Sequence, residues 1–268
     1  MKPALTVQRL RHPLVLRLLQ VRRTRLITPQ LLCVTLAGEE LAGFTSAAFD
    51  DHIKVFLPEP GASRPILPTL GPDGPQFSAD LPRPIARDYT PRRYDAQAGE
   101  LDIEFVLHGD GPACQWASRA QPGDYLGIGG PRGSMVIPTG FDWHLLVGDD
   151  SALPAIARRL EELPAGTQAI VVVEVDEASC QPALSSAAQL SCHWLHRAGQ
   201  TASMQLAEAV AALTLPAGEG FAWAAGELNA IQAVRRVLIE QHGLAKQQVR
   251  AASYWQHGAS NSHQNLDE

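Results

Sequence analysis

The segment ARDYTPRRYD, Ala86 to Asp95, places Arg87, Tyr89 and Thr90 close together, with Pro91 directly after them. Further on stands HGDGPACQWA, His108 to Ala117. A guanidinium can pair with a diphosphate through parallel hydrogen bonds. A tyrosine ring can cover a flat heteroaromatic, and an adjacent hydroxyl can hydrogen-bond a ring nitrogen. Around Gly111 and Ala113 the side chains are small, so bare backbone amides can come close to phosphate oxygens. Together the two segments suit a flavin dinucleotide. They also suit a plainer arrangement, a Tyr-bearing strand end with solvated arginines followed by an ordinary turn, and residue types alone leave both open.

Two kinds of element must position these residues. As far as Pro138 the chain alternates with period two. Leu32, Val34 and Leu36 share one face, as do Ile53, Val55 and Leu57, and then Ile103, Phe105 and Leu107. Short strands separated by turn signals predict a barrel or sandwich. LPEPGASRPILPTLGPDGP is a long Pro/Gly loop between strands. After Gly140 the period changes. HLLVGDD and AIVVVEV read as buried parallel strands. CHWLHRAG, GFAWAAGE and QVRAASYW read as further strands. Helices are predicted around Leu153, Ile156, Leu160 and Leu163, with Ser151 as cap and Gly166 as stop. Others are predicted around Leu206, Val210 and Leu213 and around Ile231, Val234 and Leu238. Alternating strands and helices imply an open parallel sheet. Its ligand crevice lies at the carboxyl ends of the strands, here GDDS, EVDE and AAGE.

The expected organisation is therefore an antiparallel β-barrel over residues 1–140, an α/β domain over 141–258, and a disordered polar tail over 259–268. A length of 268 residues accommodates two domains. The net charge is −6, with no basic block, which argues against nucleic acid or a membrane surface as main partner. The arginine-interrupted N-terminus has no apolar run long enough for a signal peptide or a span. Cys33, Cys114, Cys180 and Cys192 form no metal-type spacing and read as reduced, mostly buried thiols of a cytoplasmic protein. GIGGPRG precedes a strand-like run rather than a helix, so it is no dinucleotide fingerprint. His193 and His196 lack a third ligand and read as surface histidines rather than a metal site.

In order along the chain, DDHIKVFLP, RDYTPR, HGDGPACQWA, QPGDYLGIGGPRGS, WAAGE and VRAASYW resemble the siderophore-interacting protein family, flavin-dependent ferric-siderophore reductases of ferredoxin-reductase-like fold. The likeness runs from Leu36 to His257. It implies a Greek-key barrel binding FAD and an α/β domain binding NADPH or NADH, with a lean to NADPH. By this resemblance Arg87 meets FAD phosphate, Tyr89 stacks on the isoalloxazine and Thr90 sits near N5. His108 faces the flavin or its ribityl-phosphate arm, and Gly111, Ala113 and Cys114 line the pyrophosphate loop. Trp116 packs behind that loop or belongs simply to the core.

For the nicotinamide cofactor the resemblance offers Asp149, Asp150 and Ser151 at one strand end and Ala225, Gly226 and Glu227 at another. Tyr254 and Trp255 would flank the flavin ring. The Asp pair also reads as a plain helix cap, and an acidic pair repels phosphate. Arg158, Arg159 or Arg197 could receive a 2′-phosphate. A basic triad, Lys54, Arg132 and Arg250, would dock an anionic ferric siderophore by charge. YWQHG departs from the YWR-x-G ending of many relatives, since Gln256 carries no charge. The implied activity is electron transfer from NAD(P)H through FAD to the ferric siderophore, with no general acid or base, no metal site and a monomeric protein. The alternatives are a flavin-dependent reductase with another acceptor, or a siderophore-binding module without catalysis.

Overall fold

The computed structural model describes residues 5–72, 74–198, 204–258 and 264–266, with only the backbone of Gln264. The chain divides into two compact units, residues 8–136 and residues 137–268 with the N-terminal Met1–Val7 segment.

The first unit holds strands β1 (Gln8–Arg11), β2 (Leu16–Thr28), β3 (Leu31–Ala37), β4 (Ile53–Leu57), β5 (Thr69–Gly71), β6 (Gly74–Gln76), β7 (Ile85–Tyr89), β8 (Pro91–Asp95), β9 (Glu100–Val106), β10 (Tyr125–Gly129) and β11 (Gly133–Val136), with one helix, α1 (Pro112–Ala117). The main sheet has the order β7-β4-β10-β2-β3-β9-β8, every pair antiparallel. Strands β7 and β8 lie at opposite ends of that order, yet only Thr90 separates them. The sheet must therefore curl until its edges meet at Thr90. Strands β7 and β8 act as one bent segment whose first half pairs with β4 and whose second half pairs with β9. This closes a six-stranded barrel with Greek-key crossovers from β3 to β4 and from β9 to β10. Its interior is apolar, with Leu19, Val34, Leu36, Ile53, Val55, Leu101, Ile103 and Leu126 without exposed surface. The alternation read from the sequence thus marks the face turned inward. The long Pro/Gly loop carries the small β5–β6 hairpin, and β1 pairs with β11 as a separate ribbon.

The second unit holds β12 (Trp143–Asp149), α2 (Leu153–Glu162), β13 (Gln168–Val175), β14 (Gln189–His196), α3 (Gln205–Ala211), β15 (Gly220–Glu227), α4 (Leu228–Glu240), β16 (Val249–Trp255) and β17 (Gln264–Asn265). The sheet order is β14-β13-β12-β15-β16-β17, parallel except for β17. Helices α3 and α4 cover one face through Leu206, Val210, Ile231, Val234 and Leu238, which pack on Trp143, Leu145 and Val147. Both faces of β12 and β15 are buried, as a covered parallel sheet requires.

Three local expectations are corrected. Ser151 does not cap α2. Asp149 caps a short 3-10 turn, Asp150–Ala152, and the helix proper begins after Ala152 with no side-chain cap. That helix stops at Glu162 rather than near Gly166, because Leu163 precedes Pro164 and is held extended. Of the four free cysteines, Cys33 and Cys180 are buried, Cys114 is half-buried and Cys192 is exposed. Within the tail read as disordered, Gln264 and Asn265 pair with β16, and residues 259–263, 267 and 268 lie outside the described residues.

Candidate functional site

Arg87, Tyr89 and Thr90 fall on the seam that closes the barrel. Pro91 explains the break there, since it has no amide hydrogen and holds the preceding residue extended. Thr90 is buried. Tyr89 is half-buried, and its ring lies 4.4 Å from that of Phe105, tilted by 41°. Burial raises the Tyr89 phenol well above its ordinary pKa, and Arg87 partly offsets the rise. Arg87 is half-buried and donates from Nη1 to the Ala86 carbonyl at 2.8 Å. Among the described residues it has no carboxylate partner. Its neighbours differ. Arg92 lies 3.4 Å from Glu104, and Arg93 reaches Asp95, Glu100 and Asp102 at 3.0, 3.2 and 2.8 Å. Of the segment's three arginines, Arg87 is the one left for an external anion.

The His108–Trp116 segment turns into α1. Gly111 precedes that helix and offers no side-chain cap, and Pro112 opens it. Among the described residues the first-turn amides of Ala113 and Cys114 thus lack a side-chain acceptor, and beyond Gly111's own chain neighbours no atom lies within 4 Å of where a Cβ would stand. His108 is exposed. Its backbone hydrogen-bonds Cys114, lowering the thiol's pKa against the larger upward push of burial. The Trp116 ring lies 5.7 Å from Phe105 and packs on the barrel core. Phe105 therefore contacts both Tyr89 and Trp116. A guanidinium without a carboxylate, uncapped amides and a half-buried phenol ring fit a diphosphate joined to a flat ring.

In the second unit the strand ends converge on one carboxylate. Asp149 is 3% exposed. Its Oδ1 accepts from the Ser151 amide at 2.9 Å and from the Ser151 hydroxyl. Its Oδ2 accepts from the Glu227 amide at 2.9 Å and from the Trp255 indole at 2.8 Å. Gly226 has φ +152, and a Cβ there would stand 2.6 Å from Oδ2. Burial, and then the neighbouring charge of Asp150, raise the Asp149 pKa to about 6, with Ser151, Trp255 and Arg197 opposing. Asp150 is ion-paired with Arg197, which also reaches Glu174 at 3.8 Å. Ala225 is buried in β15 opposite Gly148 and Ala252. Tyr254 is half-buried, its ring 6.2 Å from that of Trp223. The structure thus joins Asp149, Ser151, Gly226, Glu227 and Trp255, while Asp150 turns to Arg197.

Among the basic candidates, Lys54 is already paired with Asp88 at 2.7 Å. Arg132 is exposed, and Arg250 is half-buried on β16, in register with Trp223. The three arginines considered for a 2′-phosphate are engaged otherwise. Arg158 lies 3.5 Å from Glu162. Arg159 is buried between Glu162 and the Pro138 carbonyl, and Arg197 holds Asp150 and Glu174. His193 and His196 are exposed on β14. Among the described residues no three metal-ligating side chains gather, and no helix is long and apolar enough to cross a membrane.

Sequence reasoning missed Asp88 and missed that Arg197 joins Asp150 to Glu174, the residue that opens the EVDE strand end. Asp88 faces Lys54 across β4 and β7, and an antiparallel register cannot be read from a single sequence. For Glu174 the available signal was its place beside Asp149 in a parallel pair, at the carboxyl end of β13.

A family model described as "Siderophore-interacting FAD-binding domain" matches residues 20–135, and one described as "Siderophore-interacting protein" matches residues 141–258. The chain is 40% identical over 252 residues to the NADPH-dependent ferric-chelate reductase of Escherichia coli (strain K12), covering 92% of this chain and 96% of that one. It is 38% identical over 245 residues to the ferric vibriobactin reductase ViuB of Vibrio cholerae, covering 90% of each. Among solved structures it is similar to a siderophore utilization protein from T. fusca, with TM-score 0.88 and 39% identity over 96% of this chain and 98% of the other.

Proposed function

The chain belongs to the siderophore-interacting protein family, and from that premise we propose that it is a FAD-dependent NAD(P)H:ferric-siderophore reductase, with NADPH as its donor. The observation that carries this reading is Arg87, a half-buried guanidinium without a carboxylate partner among the described residues, beside Tyr89 at the barrel seam. Arg87 neutralises the diphosphate of FAD, and the amides of Ala113 and Cys114 hydrogen-bond it. Tyr89 covers the flat ring, held by its contact with Phe105, and Thr90 bonds the ring's edge. Bound FAD supplies the change from two-electron to one-electron transfer that side chains cannot perform.

Ligands of an open α/β sheet gather at the carboxyl ends of its strands. The nicotinamide therefore belongs with Gly226, Tyr254 and Trp255. Asp149 and Asp150 repel phosphate and keep the pyrophosphate away from that end. Each donor carries two electrons and each ferric ion takes one, so one donor serves two chelates. Oxygen donors hold Fe(III), a hard cation, far more firmly than Fe(II), so reduction by itself releases the metal. No side chain has to move a proton onto the chelate or ligate iron. Lys54, Arg132 and Arg250 attract the anionic chelate, with Lys54 exchanging Asp88 for it. The site works in the cytoplasm on a monomer.

The test is anaerobic stopped-flow on FAD-loaded protein. NADPH is expected to bleach the flavin, and ferric siderophores to restore its colour while a ferrous chelator traps Fe(II). With Lys54→Ala and Arg250→Ala combined, anionic ferric siderophores should lose several-fold more rate than ferricyanide. A protein that takes up no flavin, or whose reduced flavin leaves ferric siderophores untouched, refutes the reading. An equal loss on both acceptors removes the docking role.

A further inference from the structure

The order β14-β13-β12-β15-β16 reverses direction between β12 and β15. At such a switch point the connections leave in opposite directions and open a crevice beyond the carboxyl ends of the two central strands. Those ends are Asp149 and Glu227. We propose that Asp149 is a positioning residue for the nicotinamide half of the reaction, acting through Trp255 and the Gly226–Glu227 turn that its carboxylate ties together across this crevice. The inference rests on the reading that the crevice receives the nicotinamide donor.

The site suits a carboxylate. Donors from Ser151, Glu227 and Trp255 fill both oxygens, two on each. A carboxylate only accepts, whereas an amide must point an NH2 group one way. Turned toward Glu227 and Trp255, the NH2 of Asp149→Asn would face two N–H donors and lose both bonds; turned toward Ser151 it would face the backbone amide, and only the hydroxyl could swing round to accept from it. The geometry around the carboxylate is built for it as well. Gly226 lacks a side chain where Oδ2 approaches, since a Cβ would stand at 2.6 Å. Arg197 is occupied by Asp150 and Glu174, so among the described residues no cation competes with the indole for Oδ2. The Glu227 carboxylate caps α4 through the Asn229 and Ala230 amides and takes no part. The ionisable groups around Asp149 are therefore Asp150, Glu174, Arg197 and Glu227. The indole of half-buried Trp255 is oriented by one hydrogen bond to a buried anion, and the adjacent turn by another.

The test uses full-length, FAD-loaded Asp149→Asn. Losing charge-assisted bonds of this kind costs on the order of tenfold or more. Flavin reduction by NADPH should slow by about that factor, while reoxidation of dithionite-reduced flavin by a ferric siderophore keeps its rate. A second readout needs no turnover. The Trp255 indole N–H resonance, assigned with Trp255→Phe, should exchange slowly with solvent at about pH 7.5 and move as pH falls through about 6. In Asp149→Asn that movement with pH should be absent. If Asp149→Asn fails to fold, Trp255→Phe keeps a smaller aromatic ring without the donor, and it should slow flavin reduction as well. Variants that match the wild type in flavin reduction, or lose both half-reactions equally, overturn the inference while leaving the proposed function intact. A wild-type protein whose flavin NADPH never reduces overturns both.

Discussion

The two units solve opposite electrostatic problems. In the barrel, carboxylates consume the neighbouring arginines, as with Arg93 and its three partners, and leave Arg87 over. At the strand ends of the α/β unit the carboxylates outnumber the cations. Asp150 and Glu174 share Arg197, and Asp149 is satisfied by neutral N–H and O–H donors. The contrast teaches where charge can be used for recognition. A diphosphate needs a cation with no internal partner, and the barrel seam provides one. A nicotinamide ring needs shape and fixed backbone, and a negatively charged crevice suits it because it turns phosphate away.

Three experiments break or sharpen this contrast. The largest effect belongs to Arg87→Ala. Losing a charge-assisted phosphate contact should weaken FAD binding by about 10- to 100-fold, measured by flavin release on dilution. Unchanged affinity would mean that the seam is not the anion site. Next comes Gly226→Ala. The new methyl meets Asp149 Oδ2 at a strained φ, so the α/β unit should lose about 1–3 kcal/mol, read from denaturant unfolding. The barrel's transition should not move.

The smallest effect is a pH dependence. Burial, and then Arg159, hold His144 neutral with a pKa of about 3. Its folded pKa lies below the unfolded one, so the stability linked to it is complete above about pH 6.5 and is lost as pH falls toward about 3. Asp149 runs the other way. Its raised pKa lets the folded state gain protons below about 6, which offsets part of that loss. His144→Gln should therefore resist acid better than the wild type by up to about 2 kcal/mol at about pH 5. In the barrel, Arg23 with Arg22 and Arg93 lowers Glu100 to about 2, so that group weakens the fold only from about pH 4.5 downward. Thermal unfolding at neutral and acid pH checks the difference. Equal pH responses of His144→Gln and the wild type would disprove it.

Much of this was legible in the sequence because local patterns repeat physical demands. Period two marked the barrel strands, since their inner face is buried along most of its length. Unbroken apolar runs marked β12 and β13, which are covered on both faces. The seam residues were singled out by their types, which left a plain strand end open as well. What the sequence withheld was pairing. That Lys54 faces Asp88, that Arg197 reaches Asp150, and that Trp255 meets Asp149 depend on registers between strands far apart in the chain. The same blindness made Ser151 read as a cap, because a hydroxyl before a helix looks like one whether it accepts from the helix or donates backward to Asp149.

Thr90 joins the two edges of the barrel sheet by a single residue. On the proposed function, grip on the chromophore and integrity of the cylinder fall to one short stretch of backbone. An insertion there would unzip the staves and eject the prosthetic group in the same event, so holoprotein yield reports directly on whether the hoop has shut.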